Sequence, residues 1–208
     1  MQILINILLS YFIGSISGSM LLGKLKGIDI RKMGSGNAGG TNAFRTVGAL
    51  FALGVVSVDI LKGVIAVLLI SQLNFIFIYS LGISHEIIQI SCAIAAVMGH
   101  VYPIYYNFKG GKGAGTLIGI IAVLFPQCII YALAGWFITL TLSGFVGLAT
   151  MVAGVVLVIT AYIFNIHSSY FYFSISMALF IIFTHRSNII RMINGEENRF
   201  KKIMLFKR

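Results

Sequence analysis

The chain has 208 residues, of which 59% are hydrophobic and only 10% are charged, and its mean hydropathy is +1.00. A water-soluble domain of this size needs fewer apolar residues for its core, so the composition excludes an ordinary soluble protein and indicates the bilayer as solvent. Unpaired backbone groups are costly in hydrocarbon and the apolar runs are long, so the sequence predicts an all-α, polytopic membrane bundle, forming one domain over residues 1–208.

The first apolar segment, Met1–Leu22, lacks the basic start and the small-residue cleavage pattern of a signal peptide. We therefore expect it to be retained as a membrane helix. Its first charges follow it, at Lys24 and Lys26, which predicts an amino terminus outside the cell. Within the segment, Gly14 and Gly18 have the small-xxx-small spacing that is typical of closely packed membrane helices.

Apolar runs separated by breakers predict seven membrane-crossing helices. They lie near residues 2–23, 47–72, 85–106, 114–125, 127–143, 150–165 and 169–185. The fourth and sixth are shorter than the ~20 residues of an ordinary crossing, so we expect flanking residues to lengthen them. An arrangement with five crossings is the alternative.

The basic residues predict the orientation of these helices. They cluster in a first loop (Lys24, Lys26, Arg31, Lys32, Arg45), a second loop (Lys109, Lys112) and the segment after His185. Seven crossings place all three clusters on one side, and an excess of Lys and Arg marks the cytoplasmic side. We therefore expect a multi-pass protein of the inner (cytoplasmic) membrane, with its carboxyl terminus in the cytoplasm.

The net charge of +10 is explained by this topology, because no aromatic and basic stripe accompanies the charges, and we expect no binding to nucleic acid. The tail, Arg186–Arg208, interleaves isoleucines with basic residues. It is predicted to lie on the anionic inner leaflet as an interfacial helix or hinge, in contact with membrane lipids.

Two glycine-rich segments interrupt the apolar pattern on the predicted cytoplasmic side, at residues 34–42 and 110–113. Glycine allows positive φ and close approach, so such loops can aim several backbone N–H groups at one anion. Flexible turns are the alternative interpretation. Phosphate binding is favoured because hydroxyl, amide and cationic side chains accompany the glycines, namely Ser35, Asn37, Thr41, Arg45 and Lys112.

Nucleotide motifs do not explain these segments. Gly34, Gly36 and Gly39 match GxGxxG, but the acidic residue that would follow, Asp59, lies in an apolar run rather than a soluble βαβ unit. Around the second segment, Gly113 replaces the hydroxyl residue that would meet magnesium in a Walker motif. ATP hydrolysis is therefore not expected.

Other polar residues allow more than one interpretation. His185 and Asn188, three residues apart, can join a polar site, although a terminal histidine can also cap its own helix. Asp59 and Lys62 have the i,i+3 spacing of a structural charge pair inside the membrane. His100 is better explained by structure than by chemistry. Cys92 and Cys128 lack metal-type spacing and are predicted to be small core residues.

Several catalytic signatures are missing from the sequence. No histidine is followed four residues later by aspartate, and there is no serine nucleophile elbow or metal-ligand cluster. We expect neither a metal nor a cofactor. A transporter or binding protein for a phosphorylated metabolite is the alternative class. Against it, the polar groups collect at one boundary instead of tracing a path across the bilayer.

Taken together, five blocks of sequence resemble the bacterial membrane family of acyl-phosphate glycerol-3-phosphate acyltransferases. The blocks are residues 14–16, 34–48, 59–63, 99–113 and 185–197. The resemblance implies seven transmembrane helices and transfer of an acyl chain from acyl phosphate to the 1-hydroxyl of glycerol 3-phosphate. The products would be lysophosphatidic acid and phosphate, in phospholipid biosynthesis, with a functional link to the enzyme that makes acyl phosphate.

The resemblance also implies roles for individual residues. The donor phosphate pocket would use Ser35, Asn37, Thr41 and the glycines Gly34, Gly36, Gly39, Gly110 and Gly111. Acceptor and transition-state contacts would come from Arg45, Lys112, His185 and Asn188, and further substrate contacts from Thr150 and Glu197. The chain departs from the family pattern where Ser17 replaces proline, and where Gly147-Leu148-Ala149-Thr150 replaces a Ser-Leu-Ala-Ser turn.

Overall fold

The computed structural model describes residues 2–73 and 82–206, and every regular element in these residues is helical. The chain divides into two compact units, Met1–Leu124 and Phe125–Arg208. The first contains α1 (Gln2–Gly14), α2 (Gly18–Leu25), α3 (Gly40–Thr46), α4 (Ala49–Leu68), α5 (His85–Val101) and α6 (Ala114–Leu124). The second contains α7 (Pro126–Ser143), α8 (Val146–Ile163), α9 (Ser168–Thr184) and α10 (Arg186–Ile193). Short 3₁₀ turns lie at Ile30–Lys32, Ile70–Gln72, Ile104–Tyr106 and Lys201–Ile203.

All seven predicted apolar segments are helical, which confirms a multi-pass helical protein. Four spans in the described residues are long and apolar enough to cross a bilayer: Ala49–Gln72, His85–Tyr106, α7 and α8. Two bent pairs, α1 with α2 and α9 with α10, raise the number to six if each pair is one span. α6 has only 11 residues. Length and composition therefore support four to six crossings, and the seventh stays a prediction.

The first and sixth predicted spans differ from the structure. The first span is not continuous, because α1 ends at Gly14 and α2 begins at Gly18 with a bend of 46°. The sixth helix begins at Val146, so the stretch after Gly147 is helical rather than a turn. The seventh prediction, 169–185, matches α9 within one residue at each end. α10 follows α9 after a bend of 51° at His185.

A charge pair from α4 forms hydrogen bonds with backbone groups at the break between α1 and α2. The Lys62 ammonium lies 3.0 Å from a carboxylate oxygen of Asp59 and donates to the carbonyl of Ile16 at 2.7 Å. The same carboxylate oxygen accepts from the backbone N–H of Gly18 at 3.3 Å. Both charged side chains are 3% exposed, so the predicted structural pair is confirmed and serves two backbone groups that the break leaves unpaired.

Ser17 caps the helix that follows the break. Its hydroxyl accepts from the backbone N–H of Met20 at 3.4 Å, in the first turn of α2. A serine in extended conformation is a favourable N-cap, so the residue that replaces the expected proline has a local function of its own.

Small residues bring the helices of the first unit into close contact, as their spacing predicts. A Cβ added at Gly14 would overlap the backbone of Ala96, and one at Gly99 would overlap the carbonyl of Tyr11. The same holds for Gly63 against the carbonyl of Thr116. α1 therefore packs backbone to backbone on α5, and α4 on α6.

Both cysteines are buried and free, as expected for small core residues.

Candidate active site

The first glycine-rich loop leaves α2 and returns to the bundle through the 3₁₀ turn Ile30–Lys32 and α3. Ile30 is fully buried in a cluster with Ala43 and Phe51, which anchors the loop on α3 and α4. Gly34 and Gly36 have φ of +54° and +71°, a conformation that favours glycine. The loop is therefore a folded structure rather than a flexible turn.

Two backbone N–H groups of this loop are already bonded inside the protein. The Ser35 N–H donates to the side-chain oxygen of Asn42 at 3.0 Å, and the Gly36 N–H donates to the carbonyl of Met33 at 3.0 Å. In this conformation these two amides stabilise the loop instead of facing a ligand. The predicted phosphate cradle must therefore rely on the side chains and on the remaining amides of the loop.

The side chains predicted to meet phosphate lie on the open side of the loop and on α3. Ser35 is exposed, and Asn37, Thr41 and Arg45 are half-buried. Thr41 and Arg45 are four residues apart on α3, so they share one face of that helix. A hydroxyl and a guanidinium are thereby presented together.

The second glycine loop folds back onto the end of α5. The Gly110 N–H donates to the carbonyl of Val101 at 3.2 Å, and the Gly111 N–H donates to the carbonyl of His100 at 3.1 Å. A Cβ added at either glycine would overlap His100. These glycines are therefore required by packing, and the half-buried Lys112 follows them immediately.

The two glycine loops meet at one end of the first unit. A Cβ at Gly111 would lie 3.1 Å from the carbonyl oxygen of Ala38 in the first loop. The Arg31 guanidinium donates across to the carbonyl of Tyr106 at 3.1 Å. The prediction that both basic loops lie on the same side is therefore confirmed for this unit.

Arg31 is held by its own turn as well as by the second loop. Its guanidinium donates to both carboxylate oxygens of Asp29, at 3.1 and 3.0 Å. These hydrogen bonds from Arg31 hold the pKa of the Asp29 carboxyl below its ordinary value, although desolvation acts in the opposite direction. Arg31 thus joins the two loops, a role distinct from that of Arg45.

In the second unit, His185 lies at the bend between α9 and α10 and is 5% exposed. Its Nδ1 lies 2.8 Å from the carbonyl oxygen of Ile181. A carbonyl only accepts, so this contact requires the proton on Nδ1. The neutral imidazole then has its basic lone pair on Nε2, which suits a proton acceptor.

Asn188 is fixed by Glu197. The Asn188 amide donates to one carboxylate oxygen of Glu197 at 3.0 Å, and the Arg191 Nε donates to the other at 2.7 Å. Glu197 is 8% exposed, and its backbone N–H also donates to the carbonyl of Arg191 at 3.1 Å. Glu197 therefore holds the Asn188 amide in place, and the substrate contact of Glu197 stays a prediction.

Gly147 and Thr150, which replace the two serines of the family's Ser-Leu-Ala-Ser turn, have packing explanations in this chain. A Cβ at Gly147 would lie 2.9 Å from Cγ and Nδ2 of Asn188, so glycine leaves room for that amide. The Thr150 hydroxyl lies 2.9 Å from the carbonyl of Val146, to which it donates, and accepts from Trp136 Nε1 at 3.3 Å. Both partners of Thr150 belong to the second unit.

Sequence reasoning missed three residues that shape these clusters: Asn42, Arg31 as a bridge, and Trp136. Asn42 was visible at the end of the glycine segment, but a polar residue in a loop gives no sign that it will be buried. Among residues 2–73 and 82–206, no group of three or more His, Cys, Asp and Glu side chains is placed to hold a metal ion.

Known proteins resemble this chain over nearly its whole length. The family model for glycerol-3-phosphate acyltransferase matches residues 4–195. A glycerol-3-phosphate acyltransferase of Bacillus subtilis is 40% identical over 203 residues, covering 97% of this chain and 99% of the relative. One of Chlorobium luteolum is 37% identical over 229 residues, covering 96% and 97%.

Solved structures give the same result. The crystal structure of PlsY (YgiH), an integral membrane glycerol 3-phosphate acyltransferase, in its glycerol 3-phosphate form has a TM-score of 0.84 with this chain. The identity is 30%, and 96% of each chain is covered. The lysophosphatidic acid form of that protein gives a TM-score of 0.83.

Proposed function

The chain belongs to the glycerol-3-phosphate acyltransferase family, and we propose that it transfers an acyl chain from acyl phosphate to the 1-hydroxyl of glycerol 3-phosphate. The products are lysophosphatidic acid and inorganic phosphate. The acceptor and the lipid product agree with the two forms in which the similar PlsY structure is known. Acyl phosphate as the donor suits a surface on which two loops present cationic and hydroxyl groups, because both substrates then carry phosphate.

The proposal rests on the contact between the two glycine loops. The first loop presents Ser35 and, through α3, Arg45, and the second presents Lys112. The loops are in contact at Gly111 and Ala38. Because both substrates carry phosphate, a surface with hydroxyl and cationic donors from two adjoining loops can hold one phosphate from each side.

The chemistry requires little covalent help from the protein. The 1-hydroxyl oxygen attacks the carbonyl carbon of the acyl phosphate and forms the ester bond. The bond from that carbon to the phosphate oxygen breaks, and phosphate leaves with the bonding electrons. Negative charge develops on the carbonyl oxygen and on the leaving phosphate, so preorganised cations such as Arg45 and Lys112 stabilise the transition state. Fixing both substrates in one orientation can supply much of the acceleration.

The proton of the attacking hydroxyl needs an acceptor. Nε2 of His185 suits this role because Nδ1 is committed to the carbonyl of Ile181. The departing phosphate is the alternative proton acceptor. Substitution of His185 distinguishes between these two acceptors. Asn188, fixed by Glu197, is proposed as a polar contact to the reacting groups, and Thr150 as a further contact to substrate.

We also propose the location of the protein in the cell. The basic residues of both glycine loops lie at the same end of the first unit, and the tail after His185 is basic as well. An excess of Lys and Arg favours the cytoplasmic side, so the amino terminus is assigned to the outside and the carboxyl terminus to the cytoplasm. Glycerol 3-phosphate would then reach the loops from the cytoplasm of the cell.

A donor assay tests the proposed reaction. Purified protein receives labelled glycerol 3-phosphate together with acyl phosphate, acyl-CoA or acyl carrier protein, each with and without a chelator. We expect labelled lysophosphatidic acid with acyl phosphate alone, in the presence or absence of the chelator. Efficient transfer from acyl-CoA alone, or complete and reversible loss with the chelator, would contradict the assignment of donor and cofactor.

A further inference from the structure

We infer that Asn42 is a positioning residue that holds the first glycine loop in its substrate-binding shape, an inference that rests on the proposed function of that loop. The Asn42 side chain is 2% exposed and lies beneath the loop. Its Oδ1 accepts from the Ser35 N–H at 3.0 Å. Its Nδ2 donates to the carbonyls of Ile30, Met33 and Asn37 at 3.2, 2.9 and 3.1 Å. One side chain therefore ties four points of the loop together.

An amide is the group that this position requires. It combines one acceptor oxygen with a nitrogen that carries two hydrogens, and here two hydrogens are shared among three carbonyls. The reverse orientation of the Asn42 amide would face its oxygen towards three other oxygens, so the contacts themselves fix its orientation. A carboxylate would retain the contact to the Ser35 N–H and lose all three donor contacts.

The packing above the amide depends on the same arrangement. Gly34 crosses directly over Asn42, because a Cβ at Gly34 would overlap Oδ1 of Asn42 and lie 2.8 Å from Cγ2 of Thr46. Gly34 also has a positive φ of +54°. The carbonyls of the loop are turned inward to the amide, whereas Ser35 remains exposed. The loop thus presents the Ser35 side of its surface to a ligand.

Asn42 acts through the loop rather than on the substrate. It is buried, and its amide oxygen and nitrogen are both bonded to the loop backbone. Without the amide, the carbonyl of Asn37 would lose this donor and the carbonyl of Met33 would keep only the Gly36 N–H, so the loop would sample other conformations. Each turnover would then begin by ordering the loop, and a misplacement of about 1 Å can lower catalytic efficiency about a hundredfold.

Limited trypsin digestion of the full-length membrane protein reports the state of the loop without reference to activity. Cleavage after the exposed Lys32 monitors the loop, and cleavage after Lys201 and Lys202 in the second unit is an internal control. For Asn42→Ala we expect cleavage after Lys32 to rise about tenfold with unchanged cleavage in the tail, and kcat/KM for acyl phosphate to fall about ten- to a hundredfold.

The control is Thr46→Val, which removes a hydroxyl bonded at 2.8 Å to the backbone carbonyl of Asn42 and leaves the amide in place. It should keep both the cleavage pattern and the activity. Unchanged cleavage after Lys32 in Asn42→Ala would overturn the inference whatever the activity. Faster cleavage with normal acyl transfer would overturn the link between the loop and the reaction, and with it the proposed donor pocket.

Asn42→Asp supplies a second test that remains useful if the alanine variant folds poorly. At about pH 8 the introduced carboxylate faces three carbonyl oxygens, so activity relative to the wild type should be as low as in Asn42→Ala. At about pH 5.5 a protonated carboxyl can donate to one of those carbonyls, and the relative activity should recover several-fold. Equal relative activities at both pH values would overturn the inference.

Discussion

The imidazole of His100 lies directly against the backbone of Gly111, so that a Cβ at position 111 would overlap Nε2 of the ring. The same hypothetical Cβ would stand 3.1 Å from the carbonyl oxygen of Ala38. His100 is itself 4% exposed and lies 3.5 Å from the carboxylate of Asp59. The contact between the two glycine loops therefore lies against a buried imidazole.

This relationship predicts the effect of Gly111→Ala. The added methyl group must push the second loop away from His100 and displace Lys112, which follows directly. We expect kcat/KM for glycerol 3-phosphate to fall about ten- to a hundredfold, with normal expression and extraction. Gly154→Ala is the control, since an added Cβ there would meet Ala178 at an ordinary 3.5 Å. Equal activities of the two variants would contradict the packing argument.

His185→Asn separates a catalytic from a capping role. An asparagine amide can still donate to the carbonyl of Ile181, and so preserves the bond that Nδ1 makes at the bend. It cannot accept a proton. If Nε2 is the base, kcat should fall about a hundred- to ten-thousandfold, whereas His167→Asn at an exposed position should have no effect. Activity within twofold of the wild type would assign His185 to structure and the proton to phosphate.

Gly147→Ala tests whether the position of Asn188 matters. A methyl group there would approach the Asn188 side chain to 2.9 Å and separate it from Glu197. We expect acyl transfer to fall about tenfold, even though alanine favours a helix by about 1 kcal/mol over glycine. Gly154→Ala in the same helix is the matched control, because its Cβ would meet Ala178 at an ordinary 3.5 Å. Normal activity of Gly147→Ala would remove Asn188 from the proposed site.

The proposed orientation is tested with single cysteines in a background that lacks Cys92 and Cys128. A cysteine at the exposed Lys32 should resist an impermeant reagent in intact cells and react in inverted vesicles. A cysteine at Ser84, before α5, should show the reverse pattern. Labelling at position 32 from outside the cell would contradict the orientation.

The helices were largely predictable because the apolar runs of the sequence have the length and composition of membrane helices. The prediction of residues 127–143 matches α7, which begins only one residue earlier. The break after Gly14 was not predictable, because the groups that satisfy it, Asp59 and Lys62, come from another helix. The first segment, considered alone, is a continuous apolar run.

The candidate site was predictable in its residue types and less so in its geometry. Glycines with cationic and hydroxyl neighbours indicated phosphate, and the loops that carry them do meet. The start of α3 directly after Gly39 could not be predicted from the local sequence, since that helix depends on the packing of Ala43 against Ile30 and Phe51. The four hydrogen bonds of Asn42 depend on that packing, so they could not be predicted from the local sequence either.

A vesicle assay distinguishes acyl transfer from transport. Protein in sealed vesicles receives labelled glycerol 3-phosphate, with and without acyl phosphate, and the label is followed as lysophosphatidic acid and as unmodified internal solute. We predict lysophosphatidic acid only when acyl phosphate is present. In Lys112→Ala and Arg45→Ala its formation should fall about thirty- to a thousandfold, or about 2–4 kcal/mol, and in Lys24→Ala it should be normal. Unmodified label accumulating inside the vesicles without conversion would contradict an acyltransferase and indicate a transporter.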